Sequence, residues 1–325
     1  MMPETTMAEA LNAALRKSLA DDDKVLVLGE DIGKLGGVFR ITDKLQDEFG
    51  PERVFDTPLA ESAILGVSVG LSLYGYKPVS EIQFDGFVYP SFNQIVSHVA
   101  KYRYRSRGRA AMSLVVRIPF AGEIGAAEHH SESPEAYFAH TAGLKVVIPS
   151  NPDDAYDLLI QSINDPDPVI FLEPKSRYWT KQEAAIGRST LPLGKARVVR
   201  EGDACTLIAY GAMVQRCLQT AVAAAEDGVE VEVIDLRSLV PLDIETVASS
   251  VTKTSRAIVV HEAPLTAGFG AEVVAQVTER AFLKLEAPIL RVTGWDTPYP
   301  AAKVEKHYVP SVDRILGAID RVLTF

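Results

Sequence analysis

The chain has 325 residues, is 47% hydrophobic and 23% charged, and carries a net charge of −10. Its length predicts two domains, and its composition is that of a folded, soluble protein. The acidic balance argues against nucleic-acid binding, which needs a clustered basic face. The two cysteines, Cys205 and Cys217, show no zinc spacing and require no disulfide. No basic region followed by an apolar run opens the chain, and the longest weakly polar stretch, Ala63 to Tyr76, is too short for a bilayer, so a cytoplasmic protein is expected.

In chain order, a helix is predicted near Met7–Ala20 and a buried strand at Lys24–Leu28. Gly29 to Gly33 and Gly36-Gly37 read as a loop, since neither G-x-G-x-x-G nor a P-loop occurs anywhere. Thr57 then Pro58 predicts a helix start, Thr as N-cap and Pro at the first helical position, running to Tyr74. Strands follow at Val79–Phe84, Ser113–Ile118, Leu144–Ile148 and Val169–Leu172, with helices near Tyr89–Tyr104 and Pro152–Ile163. The basic run Lys101 to Arg109 reads as a solvated helix end or a contact surface for an acidic partner. Apolar strands alternating with helices predict a mostly parallel sheet covered on both faces, an α/β fold.

From Glu173 to Ser189 the chain turns polar and reads as a surface crossover and then a linker. The alternation restarts with strands at Cys205–Tyr210, Val229–Ile234, Ala257–Val260 and Ile289–Val292. Helices are predicted near Ala212–Asp227, Asp243–Ser250, Gly270–Leu283 and Val312–Leu323. The expected division is a domain over 1–185, a linker over 186–198 and a second α/β domain over 199–325.

Three segments could carry chemistry. The helix after Thr57 has one charged residue, Glu61, among small and apolar ones, which predicts a buried helix with a desolvated carboxyl of raised pKa. The alternative is a carboxylate that merely complements the helix dipole. Ser62, Gly66 and Gly70 place small residues on one face, for packing within the domain or for close approach of another helix. The segment Ile118 to Ser133 follows a strand, where α/β folds bind ligands, and holds His129 and His130. Adjacent histidines in an extended chain point apart, so a shared metal is not expected. At Glu81 to Pro90 a strand ends and Phe87 and Tyr89 cluster, either as core or as a stacking surface for a flat heterocycle.

Together these segments resemble the beta subunits of heterotetrameric 2-oxo acid dehydrogenases (the E1 component), in the transketolase-like superfamily. The resemblance runs from Met7 to Leu323. It is carried by Gly29-Glu30-Asp31, Asp56-Thr57-Pro58-Leu59-Ala60-Glu61, Glu81-Ile82-Gln83-Phe84, Lys101 to Arg105, His130-Ser131 through Ala136, Asp235 to Leu239 and Asp296-Thr297-Pro298-Tyr299-Pro300. It implies a thiamin pyrimidine-binding domain followed by a transketolase C-terminal-like domain. It further implies that Glu61 hydrogen-bonds N1′ of the aminopyrimidine of thiamin diphosphate, with Leu59 and Phe87 beside the cofactor. His130 is implied as the active-site histidine, ahead of His129. A structural potassium ion is implied at positions matching Leu114, Val115, Ser162, Asp165 and Asp167.

The Gly-Asp-Gly motif that holds Mg²⁺ and diphosphate is missing; Gly202-Asp203-Ala204 leads into a strand. The resemblance therefore implies that a separate alpha subunit holds both, in an α2β2 assembly that transfers an acyl group to a lipoyl-bearing E2 core. Ala127 to His140 looks more like branched-chain 2-oxo acid dehydrogenases than pyruvate or acetoin ones. Rival readings are an NAD-dependent oxidoreductase, which the absent glycine fingerprint opposes, and a noncatalytic scaffold subunit.

Overall fold

The computed structural model describes residues 4–188 and 191–325; positions 189–190 of the expected linker lie outside the described residues. The strands of the first half are β1 (Glu4–Thr5), β2 (Val25–Gly29), β3 (Val54–Asp56), β4 (Lys77–Glu81), β5 (Val115–Phe120), β6 (Lys145–Val147) and β7 (Val169–Pro174). Those of the second are β8 (Gln182–Glu183), β9 (Arg197–Arg200), β10 (Cys205–Ala209), β11 (Val231–Asp235), β12 (Ser238–Val240), β13 (Ala257–Pro264) and β14 (Leu290–Gly294). The first sheet runs β12-β6-β7-β5-β4-β2-β3 and the second β14-β13-β10-β11-β9. Each is parallel except for one antiparallel edge strand, β12 in the first and β9 in the second. Strands this apolar on both faces need cover on both sides. The helices Met7–Asp21 and Pro152–Ile163 cover one face of the first sheet.

The other face of that sheet opens into a core shared with the second. Ile118, Leu144 and Ile170 from the first half pack in one cluster with Ile208, Ile234, Val247 and Phe269 from the second. The strand β12 strengthens the junction: Ser238–Val240 lies within the stretch expected to be the second domain, yet it pairs with β6 in the first sheet. Glu262, at the end of β13, accepts the amide of Gly122 from the loop after β5 at 2.6 Å.

Several elements differ from the sequence reading. The helix predicted over Tyr89–Tyr104 is broken into a 3₁₀ turn at Asp85–Ser91, a helical turn at Phe92–Gln94, a π-helical turn at Ile95–Val99 and another turn at Tyr102–Arg105. Pro90 within the 3₁₀ turn removes an amide that a regular helix would use. The stretch from Glu173, expected at the surface, begins buried: Glu173, Lys175 and Tyr178 all lie inside. They are buried because each has a polar partner. Arg117 on β5 donates to Glu81 on β4 at 2.7 Å and to both oxygens of Glu173 on β7 at 2.6 and 2.9 Å; Tyr178 donates to Glu173 at 2.6 Å. Among the described residues, no helix is long and apolar enough to cross a membrane.

Two expectations follow from these buried charges. Replacing Arg117 by Met strands two carboxylates in the sheet, and loss of stability of roughly 3–5 kcal/mol is expected in denaturant unfolding. Burial pushes the Glu262 carboxyl up to about 8, against an ordinary 4.5. As pH rises between these values the unfolded chain releases this proton first, so folded stability is lost through that window. Glu262→Gln should therefore raise the melting temperature more at pH 8 than at pH 5; an equal effect at both would show that the acid is already ionised in the fold.

Candidate active site

The parallel strands β2, β3, β4 and β5 all end at the same edge of the first sheet, and each passes directly into a segment singled out by the sequence. This is the edge at which open parallel sheets bind ligands, because the connections there leave a crevice.

Beyond β3 the helix begins at Glu61, not at Pro58, and runs to Leu73 with Ala60 as its uncapped N-cap. Thr57 is no cap because its amide donates to the Gly29 carbonyl at 2.9 Å, which extends the edge of β2 across the sheet. Residues 57–60 thus carry the chain over the strand ends and set Glu61 in the first helical turn, where the helix dipole favours a carboxylate. The expected all-round burial is not found. Ile64, Leu65 and Ser68 face the core, while Gly66, Val67 and Gly70 are exposed. Glu61 itself is half-exposed, and Leu59 just before it is 80% exposed. A Cβ added at Gly66 or Gly70 would meet nothing within 4 Å, so these glycines are not there for packing inside this chain.

Beyond β2 lies a residue that the sequence reading used only for resemblance. Glu30 is buried, its Oε1 has no hydrogen-bond partner among the described residues, and its pKa is raised first by burial and then by the charges of Glu61 and Asp31. An unpartnered buried carboxyl oxygen is costly unless a ligand or water meets it. Its only sequence signal was a charged residue at the end of an all-apolar strand.

The turn after β4 and the loop after β5 meet over an aromatic cluster. His130 stacks on Phe84 with ring centroids 4.0 Å apart and meets the edge of Phe87 at 5.1 Å. Phe84 rests in turn on Phe39 at 5.4 Å. The histidines do not point apart as expected. Residues Glu128–His130 form a 3₁₀ turn, which brings the two rings to 4.2 Å. The His130 Nδ1 lies 3.0 Å from the His129 carbonyl, so a neutral ring carries its proton there and leaves Nε2 free to accept one. Burial, and then the neighbouring His129 ring and the Lys175 ammonium, push His130 below the ordinary histidine value; the His129 carbonyl and Glu128 oppose this. Ala121 and Glu123 in the same loop hold φ of 68° and 61°, a conformation that non-glycine residues adopt at a cost and that recurs at functional sites.

The residues matched to a potassium ion are neighbours, but their charges are already engaged. Lys145 donates to both oxygens of Asp165, at 2.7 and 2.6 Å, and lies 3.4 Å from Asp167, which also pairs with Arg103. The Leu114 carbonyl accepts the Val169 amide at 2.9 Å and the Ser162 carbonyl accepts the Asp165 amide at 3.3 Å, while Val115 lies within β5. Among the described residues no cluster of three or more His, Cys, Asp or Glu could hold a metal.

The family model for the transketolase pyrimidine-binding domain matches residues 3–180, and that for the transketolase C-terminal domain matches residues 194–315. The pyruvate dehydrogenase E1 component subunit beta of Leifsonia xyli is 54% identical, covering 98% of this chain and 95% of its own. The 3-methyl-2-oxobutanoate dehydrogenase subunit beta of Mycobacterium tuberculosis is 53% identical over 98% of this chain and 92% of its own. The pyruvate dehydrogenase E1 component subunit beta of Bacillus subtilis is 49% identical over the full length of both. A solved split-gene transketolase, described as an inactive β4 tetramer, shares the fold with a TM-score of 0.79 at 23% identity over 98% of both chains.

Phe84→Ala should open one face of the His130 ring to water and raise its titration midpoint toward the ordinary 6.5, as followed by histidine NMR against a His130→Gln reference. A midpoint that stays put would mean that the stacked ring does not shield it.

Proposed function

Because the chain belongs to the E1 beta subunits of the 2-oxo acid dehydrogenases, oxidoreductases of transketolase-like fold, we propose that it supplies the pyrimidine half of a thiamin diphosphate site and that a separate alpha chain completes it. The observation that carries this reading is the gathering of Glu30, Glu61, Phe87 and His130 at one edge of the parallel sheet, beside an apolar helix face that this chain leaves uncovered. Val67 on that face is 53% exposed and Tyr74 at its end 83%. A continuous apolar surface of this kind suits a permanent partner. The sequence contains no diphosphate and Mg²⁺ motif of its own, which fits the same division of labour.

Bound thiamin diphosphate would supply the electron sink that decarboxylation of a 2-oxo acid requires. The residues of this chain fit one wall of such a site. Glu61, in the first helical turn, would hold a proton against the pyrimidine N1′; covering by the alpha chain would desolvate its carboxyl and favour the protonated form. Glu30 offers a second carboxyl beside it. Phe87 gives an apolar surface at the turn after β4, and Leu59 stands exposed where the ring would approach. His130, with Nε2 free, would hold or move a proton during acyl transfer to a lipoyl group on an E2 core. Buried, unpaired Cys205 and Cys217 fit a reducing, cytoplasmic setting.

For the substrate we infer a branched-chain 2-oxo acid, on the likeness of Ala127 to His140 to that class. A pyruvate-type enzyme is the second reading, favoured by the Leifsonia xyli relative. Both are tested by co-expressing this chain with an alpha subunit and comparing kcat/KM for 2-oxoisovalerate and pyruvate; a higher value for pyruvate overturns the branched-chain assignment. In the same assembly, Glu61→Gln should lower decarboxylation by about 10²-fold or more with the α2β2 assembly intact. An assembled variant of unchanged rate would remove Glu61 from the chemistry.

A further inference from the structure

Asp85 and Lys175 form a fully buried ion pair directly beneath the histidine loop, and neither residue has a part in the function so far. Lys175, just past the end of β7, donates to Asp85 Oδ1 and lies 3.4 Å from the Pro119 carbonyl on β5. The other oxygen of Asp85 accepts the amide of Glu132 at 2.8 Å. The carbonyl of Glu132 accepts the amide of Ala121 at 2.9 Å. The loop from Ala121 to Glu132 is thus closed into a ring, and the ring is tied to one carboxylate.

Two further contacts link the pair to His130 itself. Gly86, next to Asp85, is so close to the loop that a Cβ there would collide with the His129 carbonyl. The Lys175 ammonium lies 5.8 Å from the centroid of Phe84, the ring on which His130 stacks. One residue therefore holds the backbone of the histidine turn, and its partner braces the platform beneath the imidazole.

We propose that Asp85, held in place by Lys175, is the positioning residue that fixes His130 for acyl transfer. This rests on the reading of His130 as an active-site residue. The physical reason for a charged pair is that a buried carboxylate accepts an amide more strongly than a neutral group does, and a buried lysine would not stay charged alone. Burial raises the Asp85 carboxyl to about 6 even beside Lys175, and lowers Lys175. The groups that shift His130 include His129 and Glu128 from its own turn and Lys175 from the chain after β7; the turn after β4 brings the uncharged Phe84 and Phe87 and, between them, the Asp85 carboxylate that pairs with Lys175. Of the groups that shift His130, Lys175 lies outside its own turn, and its charge lowers the pKa of the imidazole.

The test uses the assembled α2β2 enzyme with Asp85→Ala and with the double variant Asp85→Asn, Lys175→Met. The double variant keeps an oxygen for the Glu132 amide and leaves no buried charge. Asp85→Ala should slow reductive acylation of a lipoyl domain by roughly tenfold or more. Decarboxylation measured with an artificial oxidant should stay within about twofold. The double variant should recover most of the acylation rate, and its His130 titration midpoint, read by NMR on this chain alone, should move up. Equal losses in both reactions, or a midpoint unchanged in the double variant, would overturn the proposal. His130→Gln separates the two levels: if it acylates at the normal rate, the reading of His130 fails, while the NMR midpoint still decides whether the pair acts on the ring.

Discussion

The site hangs on the guanidinium of Arg117. It is fully buried in the middle of the first sheet and joins three neighbouring strands, with Glu81 on β4 at one side and Glu173 on β7 at the other. Glu81 and Glu173 sit at the ends of their strands, and Arg117 lies mid-strand in β5, opposite Glu81. The turn with Phe84, Asp85 and Phe87 follows Glu81, the histidine loop follows Arg117 and Phe120, and Lys175 follows Glu173. Backbone hydrogen bonds alone hold strands side by side; the ion triad also locks their ends in relative height. Its energy relative to an apolar core is not the point, since such triads are no more stable than hydrophobic packing. Its effect is register, and register is what brings three separate loops to one place.

A second ion pair, Asp85 with Lys175, lies one layer further out and passes that order to the histidine loop. Buried charges therefore form a graded support: a triad in the sheet, a pair under the loop, and then the aromatic stack that carries His130. The junction with the second sheet adds a third tie, where Glu262 takes the amide of Gly122. Each tie needs a partner from a different strand, and each is lost if any one strand slips by a residue.

The helix Glu61–Leu73 shows the opposite design. Its inner face packs normally, but its outer face combines apolar side chains with glycines that have open space before them. Such a face has no physical use in an isolated chain. It accounts for the half-exposed Glu61, whose environment under the proposed function is completed only by another subunit.

Much of the fold was legible because period and burial agree. The strands at Val25–Gly29, Val115–Phe120 and Val169–Pro174, and the helices Met7–Asp21, Pro152–Ile163 and Val312–Leu323, fall where apolar runs and helical spacing put them. The failures have local causes. Thr57 and Pro58 look like a helix start, but a backbone hydrogen bond to Gly29 outweighs the cap. The run from Tyr89 to Tyr104 reads as a helix, but Pro90 and the packing of the 3₁₀ turn against the histidine loop break its start. The polar stretch from Glu173 looks like surface, because a single charged residue does not reveal a partner some 56 positions away.

The sequence by itself determined the element order, the parallel architecture and the family resemblance, which in turn implies Glu61, Phe87 and His130 as site candidates. These depend on side-chain type and short-range spacing, which a linear chain displays. Only the tertiary structure decided which charges are buried in pairs, that His129 and His130 turn together, that β12 crosses into the first sheet, and that Asp85 and Lys175 lie beneath the loop. Those facts depend on which distant strands become neighbours, and long-range pairing of charges leaves no periodic trace in the chain.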